Sequence, residues 1–395
     1  MGVGEDLARK AHIFPSGAGD LSKLKFEEAI PMERPAKGEL RIRVKAVGLN
    51  FADVFTGLAL YGPVRSGEVG GEEGGFVPGL EFSGIVEEVG TLDHFPKGTR
   101  AHGGQLCELT EEVWKIARTS AEKFQVGDRV MGAMRFGAYA SQVNVPAHQV
   151  RKIPEKWSFE EASAYLVQTL TVFYALRSLG NVRKGQTALI HSAAGGCGLQ
   201  ALALCQELGV DVVATVGSPS KVALLLERFP GLKPEQIVVR TAGGQTFEHQ
   251  LKAALESITQ PGFDLVLDAV LGDYFQPAWK CMKPGGRHIV FGAAAMTPSG
   301  DKLGIFGWLR LAWQWLRRPM VDPLELPGEN KSLMSFNLIY CFNNAEELGR
   351  LIDECMNFNL PAPKVGHTYP FDRAIDALRA FQSGSTTGKV VLTVE

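Results

Sequence analysis

The stretch Thr187-Ala-Leu-Ile-His-Ser-Ala-Ala-Gly-Gly-Cys-Gly-Leu199 decides how this chain is read. Thr187–Ser192 is a short apolar strand, and a helical pattern runs from Gly196 to Leu208. Between them Ala193, Gly195 and Gly198 hold the three positions of a GxGxxG-type turn. Gly195 and Gly196 let the backbone come close to a pyrophosphate. Cys197 shares the first turn of a helix whose free N–H groups and positive dipole end suit an anion. Glycines before a helix often serve packing alone. Here a strand precedes and a helix follows, so dinucleotide binding is the reading to carry forward.

Working toward the C-terminus, the alternation continues. Strands are predicted at Asp211–Val216, Gln236–Val239, Phe263–Leu267 and His288–Phe291, with helices at Lys221–Phe229, Phe247–Ile258 and Tyr274–Met282. A helical stretch over Ala162–Leu179 leads into the series. Such alternation predicts an α/β unit, a doubly wound parallel sheet with helices on both faces. Cofactor choice follows from the end of the second strand. An NAD site wants a carboxylate there for the ribose 2′-hydroxyl, but the strand ends at Gly217, with Ser218 and Lys221 beyond it. A hydroxyl and a cation suit a 2′-phosphate, and Arg240 is a second candidate cation, so NADPH is the expected cofactor.

Working toward the N-terminus, the period changes from helical to two. Leu40, Ile42, Val44 and Ala46 alternate with Arg41, Arg43 and Lys45, a half-buried strand. Shorter strands follow near Ser83–Val89, Asp128–Met131 and Tyr139–Val145, giving a small all-β unit. Two segments interrupt it: a Gly- and Glu-rich stretch at 65–76, and 91–124, with a predicted helix around Leu109–Ile116. The tail from Ser332 carries a strand, helices at Ala345–Asn357 and Asp372–Gln382, and a terminal strand at Lys389–Val394.

At 395 residues the chain is long enough for two or three domains. Lys+Arg 41 against Asp+Glu 43 leaves a net charge of −2, so no nucleic-acid partner is expected. Six scattered cysteines without a CxxC pair, no secretory apolar run at the start and no 18-residue apolar stretch suggest a reducing, cytoplasmic setting.

Taken in order, several motifs make the chain resemble the medium-chain dehydrogenase/reductase superfamily, in its zinc-free quinone oxidoreductase branch. They are Val47-Gly-Leu-Asn-Phe-Ala-Asp53, Pro78-Gly-Leu-Glu-Phe-Ser-Gly-Ile-Val86, Gly127-Asp-Arg-Val130, the Ala-Ala-Gly-Gly-Cys-Gly turn and Gly388-Lys-Val-Val-Leu392. The resemblance implies a GroES-like β domain over 1–154, closed by 331–395, and a Rossmann domain over 155–330. It places Asn50, Leu80 and Val167 where zinc-dependent relatives hold their catalytic ion, and none of the three suits zinc. The region with the relatives' structural cysteines, 91–124, contains only Cys107. No metal is therefore expected.

What the resemblance implies is hydride transfer to a quinone or α,β-unsaturated carbonyl, an acceptor that needs little Lewis-acid help. Asn50 and Tyr61 would line the acceptor pocket as catalytic candidates, with Tyr61 either donating a hydrogen bond or proton or simply packing; Thr171 would lie near the nicotinamide. Phe55 stands where the family commonly has a second Tyr. Asp53 and Glu81 are expected to hold loops together, and His191 to be a core histidine. An enoyl-thioester reductase and an NADPH-binding membrane or vesicle adaptor with little turnover are the alternatives.

Residues 304–319 stand apart. Trp308, Trp313 and Trp315 lie there among six Trp in the chain, with apolar residues at helical spacing and Arg310, Arg317 and Arg318 at its border. This resembles an insertion in vesicle amine transport protein relatives. A lid over the acceptor or a contact between copies of a homodimer is the expectation, with peripheral membrane contact as the alternative.

Overall fold

The computed structural model describes residues 8–62, 75–91, 110–240, 244–298, 300–358 and 360–395. The first elements form an antiparallel ribbon, β1 (Ala8–Ile13) and β2 (Lys25–Pro31). Sequence reading does not find β2, because its residues are almost all exposed and carry no apolar alternation. The period-two run forms β3 (Glu39–Gly48), in which Leu40, Ile42, Val44 and Ala46 are fully buried. β4 (Glu81–Val89) and β6 (Gln142–Pro146) both pair with β3, while β5 (Arg129–Ala133) pairs with β4 and β7 (Val150–Lys152) with β5.

The second unit contains β8 (Thr187–Ile190), β9 (Asp211–Val216), β10 (Ile237–Val239), β11 (Phe263–Asp268), β12 (Met282–Val290) and β13 (Ser332–Ser335). Their order is β10-β9-β8-β11-β12-β13, with every neighbouring pair parallel. Alternation along each strand explains the two helical layers. Ala188 and Ile190 of β8, Val212 and Ala214 of β9, and Leu265 and Leu267 of β11 join one apolar core; Leu189, Val213 and Val266 join another with Phe247, Leu251 and Phe275. Helix Gly196–Leu208 follows β8 and stops at Gly209, whose φ of 65° supplies the left-handed turn.

The chain then returns: β14 (Val365–Pro370) and β15 (Lys389–Thr393) add to the first sheet through β15 pairing antiparallel with β3. β13 carries the parallel sheet past the expected limit of the Rossmann unit at 330. The expected helix over Ala162–Leu179 is divided into Phe159–Ser163, Leu166–Phe173 and a wider π-type turn at Tyr174–Leu179. Ser158 and Glu161 form a reciprocal capping box at its start. The helix expected near Leu109 runs instead over Glu111–Ala121, capped by the Thr110 hydroxyl. Residues 65–74 and 92–109 of the two interrupting segments, Cys107 included, lie outside the described residues.

Candidate active site

In a doubly wound sheet the strand order reverses at one point, and the carboxyl ends of the strands open a crevice there. Here the reversal lies between β8 and β11. Each strand leaves the sheet through a residue in a conformation that side chains rarely adopt: Ser192 at φ 54°, and Leu271 at φ 59° and ψ −149°. Both line a cavity of about 740 Å³ that runs from the glycine turn to helix Phe51–Gly57 of the β unit.

The glycines of the turn do different work. A Cβ on Gly198 would sit 2.4 Å from the Ser192 carbonyl oxygen and 2.5 Å from the Ala193 Cα, so Gly198 lets helix and strand pack. A Cβ on Gly196 would strike the Gln168 side chain. One on Gly195 would meet the Ser192 oxygen at 3.3 Å, a tight approach that a small shift relieves, so packing constrains this glycine far less than Gly198, and its backbone lines the cavity. Cys197 also lines the cavity, but burial pushes its thiol up to about 11, which makes it no nucleophile at neutral pH.

Arg240 ends β10's run and reaches back under β8 and β9. Its guanidinium donates to the Ser192 hydroxyl (3.2 and 3.3 Å) and the Thr215 hydroxyl (3.3 Å), and lies 5.5 Å over the Tyr274 ring. No carboxylate pairs with it among the described residues. Gly217 leaves open space beside it, the nearest atom to a built Cβ being Arg240 Nη2 at 3.7 Å. Lys221 lines the same end, with its ammonium donating to the carbonyls of Gly384 (2.7 Å) and Thr386 (2.9 Å). Burial, with Arg240 nearby, pulls its pKa down. Two of the candidates are not brought to the cavity. Ala193 is fully buried with its N–H on Thr215, and the Ser218 hydroxyl pairs with Ser220. Thr171 does line it, its hydroxyl bonded back to the Val167 carbonyl at 2.6 Å.

At the other end, Asn50, Leu80 and Val167 do converge on the cavity. Together they offer one neutral amide and two hydrocarbon side chains, a donor set that does not fit zinc. Among the described residues no cluster of three or more His, Cys, Asp or Glu is placed to hold a metal. The cation that does sit here is the Lys389 ammonium, which donates to Glu81 Oε1 (2.5 Å) and Asn50 Oδ1 (2.9 Å). Asn50 gives its amide hydrogens to Glu81 (3.0 Å) and the Gly48 carbonyl (3.2 Å), and Glu81 also accepts the Val167 N–H (3.0 Å). Every polar atom of the Asn50 side chain is thus spent inside the protein, and it has the geometry of a positioning group. Asp53 accepts from the Asn50 N–H (2.8 Å) and Tyr139 (3.2 Å), and burial raises its carboxyl to about 7. Asp53 and Glu81 therefore tie loops together.

Tyr61 lines the same end of the cavity. Its hydroxyl donates to Asn337 Oδ1 at 2.8 Å, and the same oxygen accepts the Ile339 N–H at 3.3 Å, which fixes the orientation of the amide. Burial raises the phenol to about 12, so it stays protonated. Phe51, Phe55, Phe291, Phe336 and Phe381 wall the surrounding space. Sequence reading does not single out Asn337 or Lys389; the signal for Lys389 is the Gly388-Lys-Val-Val motif, and for Asn337 there is none. His191 behaves as a core histidine, its Nδ1 on Thr215 (3.0 Å) and its pKa pushed down to about 4 by burial. Nearby, burial alone would raise Asp268, but His191 and the His288 hydrogen bond (3.0 Å) more than offset it and hold the carboxyl low.

The Trp-rich segment forms helix Ile305–Leu316, and it does not enter this site. None of its three Trp lines the cavity, so the expected lid is not what the chain builds. The reason is its orientation: Gln314, which reaches the Ala295 carbonyl (3.1 Å), faces the protein while the tryptophans face out.

This architecture, a GroES-like β unit closed onto a Rossmann parallel sheet, defines a class of nicotinamide oxidoreductases. Residues 36–155 match the alcohol dehydrogenase GroES-like domain, and residues 238–392 match the family described as zinc-binding dehydrogenase. The chain belongs to the medium-chain dehydrogenase/reductase superfamily. It is 28% identical over 379 residues to the synaptic vesicle membrane protein VAT-1 homolog of Rattus norvegicus, covering 95% of this chain and 81% of that one. The quinone oxidoreductase of Thermus thermophilus, solved also with NADPH, superposes with a TM-score of 0.68 at 26% identity over 97% of this chain and 99% of that one. CurK enoyl reductase shares the fold, with a TM-score of 0.72 at 24% identity over 98% and 99%.

Proposed function

We propose that the protein is an NADPH-dependent, zinc-independent reductase of quinones or α,β-unsaturated carbonyls. The observation that carries this reading is that one cavity joins the open glycine turn, Arg240 and Lys221 to Tyr61 and its aromatic walls. The bound dinucleotide would supply the hydride through its nicotinamide. Gly195 and the N-terminus of helix Gly196–Leu208 would receive the pyrophosphate, and Arg240 with Lys221 the 2′-phosphate. Thr171 would lie by the nicotinamide. The phenylalanine walls favour a flat, apolar acceptor and exclude water.

When hydride reaches such an acceptor, negative charge grows on its oxygen, and a donor aimed there lowers the barrier. Tyr61 is the candidate. Its proton is retained at neutral pH, and the hydroxyl needs only to turn from Asn337 to the acceptor oxygen. The test is NADPH oxidation with a panel of quinones, enones, enals and enoyl thioesters. Tyr61→Phe is expected to lower kcat on the best acceptor by about 10²-fold while leaving the NADPH Kd unchanged. Turnover confined to enoyl thioesters would make the protein an enoyl-thioester reductase instead. Tight NADPH binding with no acceptor reduced would make it an adaptor.

A further inference from the structure

An amphipathic helix on a folded domain ordinarily turns its apolar stripe inward. Helix Ile305–Leu316 does the reverse. Its half-buried residues are Gly307, Leu311 and Gln314, continued by Arg318, at the spacing of one helical face, and Gln314 is hydrogen-bonded to the body. Outward stand Phe306 at 86% exposure, Leu316 at 79%, Ile305 at 78% and Leu309 at 61%, with Trp308, Trp313 and Trp315 at 57% each. Met320 (70%) and Leu324 (88%) extend the patch beyond the helix. A surface this apolar is stable in water only at a cost, and it signals an occupant.

Charge identifies which. From Lys302 to Leu324 there are four cations (Lys302, Arg310, Arg317 and Arg318) against one carboxylate, Asp322, in a chain whose net charge is −2. Arg317 lies 4.6 Å over the Trp313 ring and Arg318 4.3 Å over Trp315. These stacks hold the guanidinium groups at the rim of the apolar face, where lipid phosphates and carboxylates lie when aromatic rings sit at headgroup depth. A twofold contact with a second copy would instead bring both sets of cations together. No helix among the described residues is long and apolar enough to cross a membrane, so the geometry is that of a helix lying in the surface.

We propose that helix Ile305–Leu316 docks the protein onto an anionic lipid surface. The helix stands outside the cavity, so this proposal does not depend on the reductase reading. The experiment is flotation of the full chain with vesicles of phosphatidylcholine alone or with about one-third phosphatidylserine. The wild type is expected to float with the anionic vesicles and about tenfold less with the neutral ones. Trp308→Ala/Trp313→Ala/Trp315→Ala should abolish flotation, and Arg310→Gln/Arg317→Gln should weaken it and its sensitivity to salt. NADPH titration of each variant should give the wild-type Kd, which shows that the fold is retained. Absence of wild-type binding to anionic vesicles overturns the proposal, as does equal flotation of the triple variant. A wild-type dimer that the triple variant converts to monomer, with neither bound to vesicles, assigns the face to a second copy and overturns it as well.

Discussion

At the end of the cavity proposed for the dinucleotide, the turn at 193–198, Gly217 and Arg240 follow one another along successive strands of one sheet, and short-range chain order places them. At the end proposed for the acceptor, Tyr61 meets Asn337 across 276 residues, Lys389 meets Glu81 across 308, and Lys389 meets Asn50 across 339. The first end is a local motif, written in glycine and strand spacing. The second brings together groups from distant parts of the chain, and its buried part, Lys389 with Glu81 and Asn50, is complete only once β15 has docked beside β3. Such a network is costly when half complete, so the acceptor end should be far less tolerant of losing one member.

The sharpest way to break that comparison is Lys389→Met. It leaves Glu81, 1% exposed, without its cation, and removing one partner of a buried pair costs about 3–5 kcal/mol. Urea unfolding should show a loss of that size. Glu81→Gln added to it should restore most of the stability, because the uncompensated charge goes. A loss below about 1 kcal/mol, as an exposed ion pair would give, would mean that the network is not what closes the site.

A smaller effect is expected from the turn, and it separates packing from binding. Gly198→Ala puts a methyl against backbone atoms of Ser192 and Ala193 and should cost about 1–3 kcal/mol by overpacking. Gly195→Ala has a single near contact, at 3.3 Å, and should unfold within about 0.5 kcal/mol of wild type while weakening NADPH binding. If the two variants lose stability equally and bind NADPH equally, Gly195 is a packing glycine as well.

These residues also mark where sequence reading stops. Helix Gly196–Leu208 and strand Asp211–Val216 are placed at the residues read from period and glycine, since both signals are local. The break of Ala162–Leu179 was not legible, because buried residues line all sides of Leu166–Phe173 and leave no period to interrupt. Asn337 was illegible for another reason: its partner, Tyr61, is fixed by the closing of one domain on the other. The tryptophans were visible at once, but their spacing gives a helix face and no direction. Only the packed chain shows that the face points outward.

The smallest expected effect concerns Lys221, which belongs to both sides of the comparison. The sequence offers it as a cation for a 2′-phosphate, yet its ammonium already holds the carbonyls of Gly384 and Thr386 on the returning segment. To reach a phosphate it must give up those bonds, so its net contribution to NADPH affinity should be about 1 kcal/mol, near the low end for a charge-assisted hydrogen bond. Among the described residues the Arg240 guanidinium is hydrogen-bonded to neutral hydroxyls and lies over an aromatic ring, and it has no carbonyl to give up. Lys221→Ala should therefore raise the NADPH Kd about fivefold, and Arg240→Ala should raise it more, with the NADH Kd nearly unchanged in both. Titration of the four combinations by cofactor fluorescence measures this directly. A larger loss from Lys221 than from Arg240 would show that the ammonium, despite its two carbonyls, is the principal phosphate ligand. Equal losses for NADH would remove the 2′-phosphate from this end of the cavity altogether.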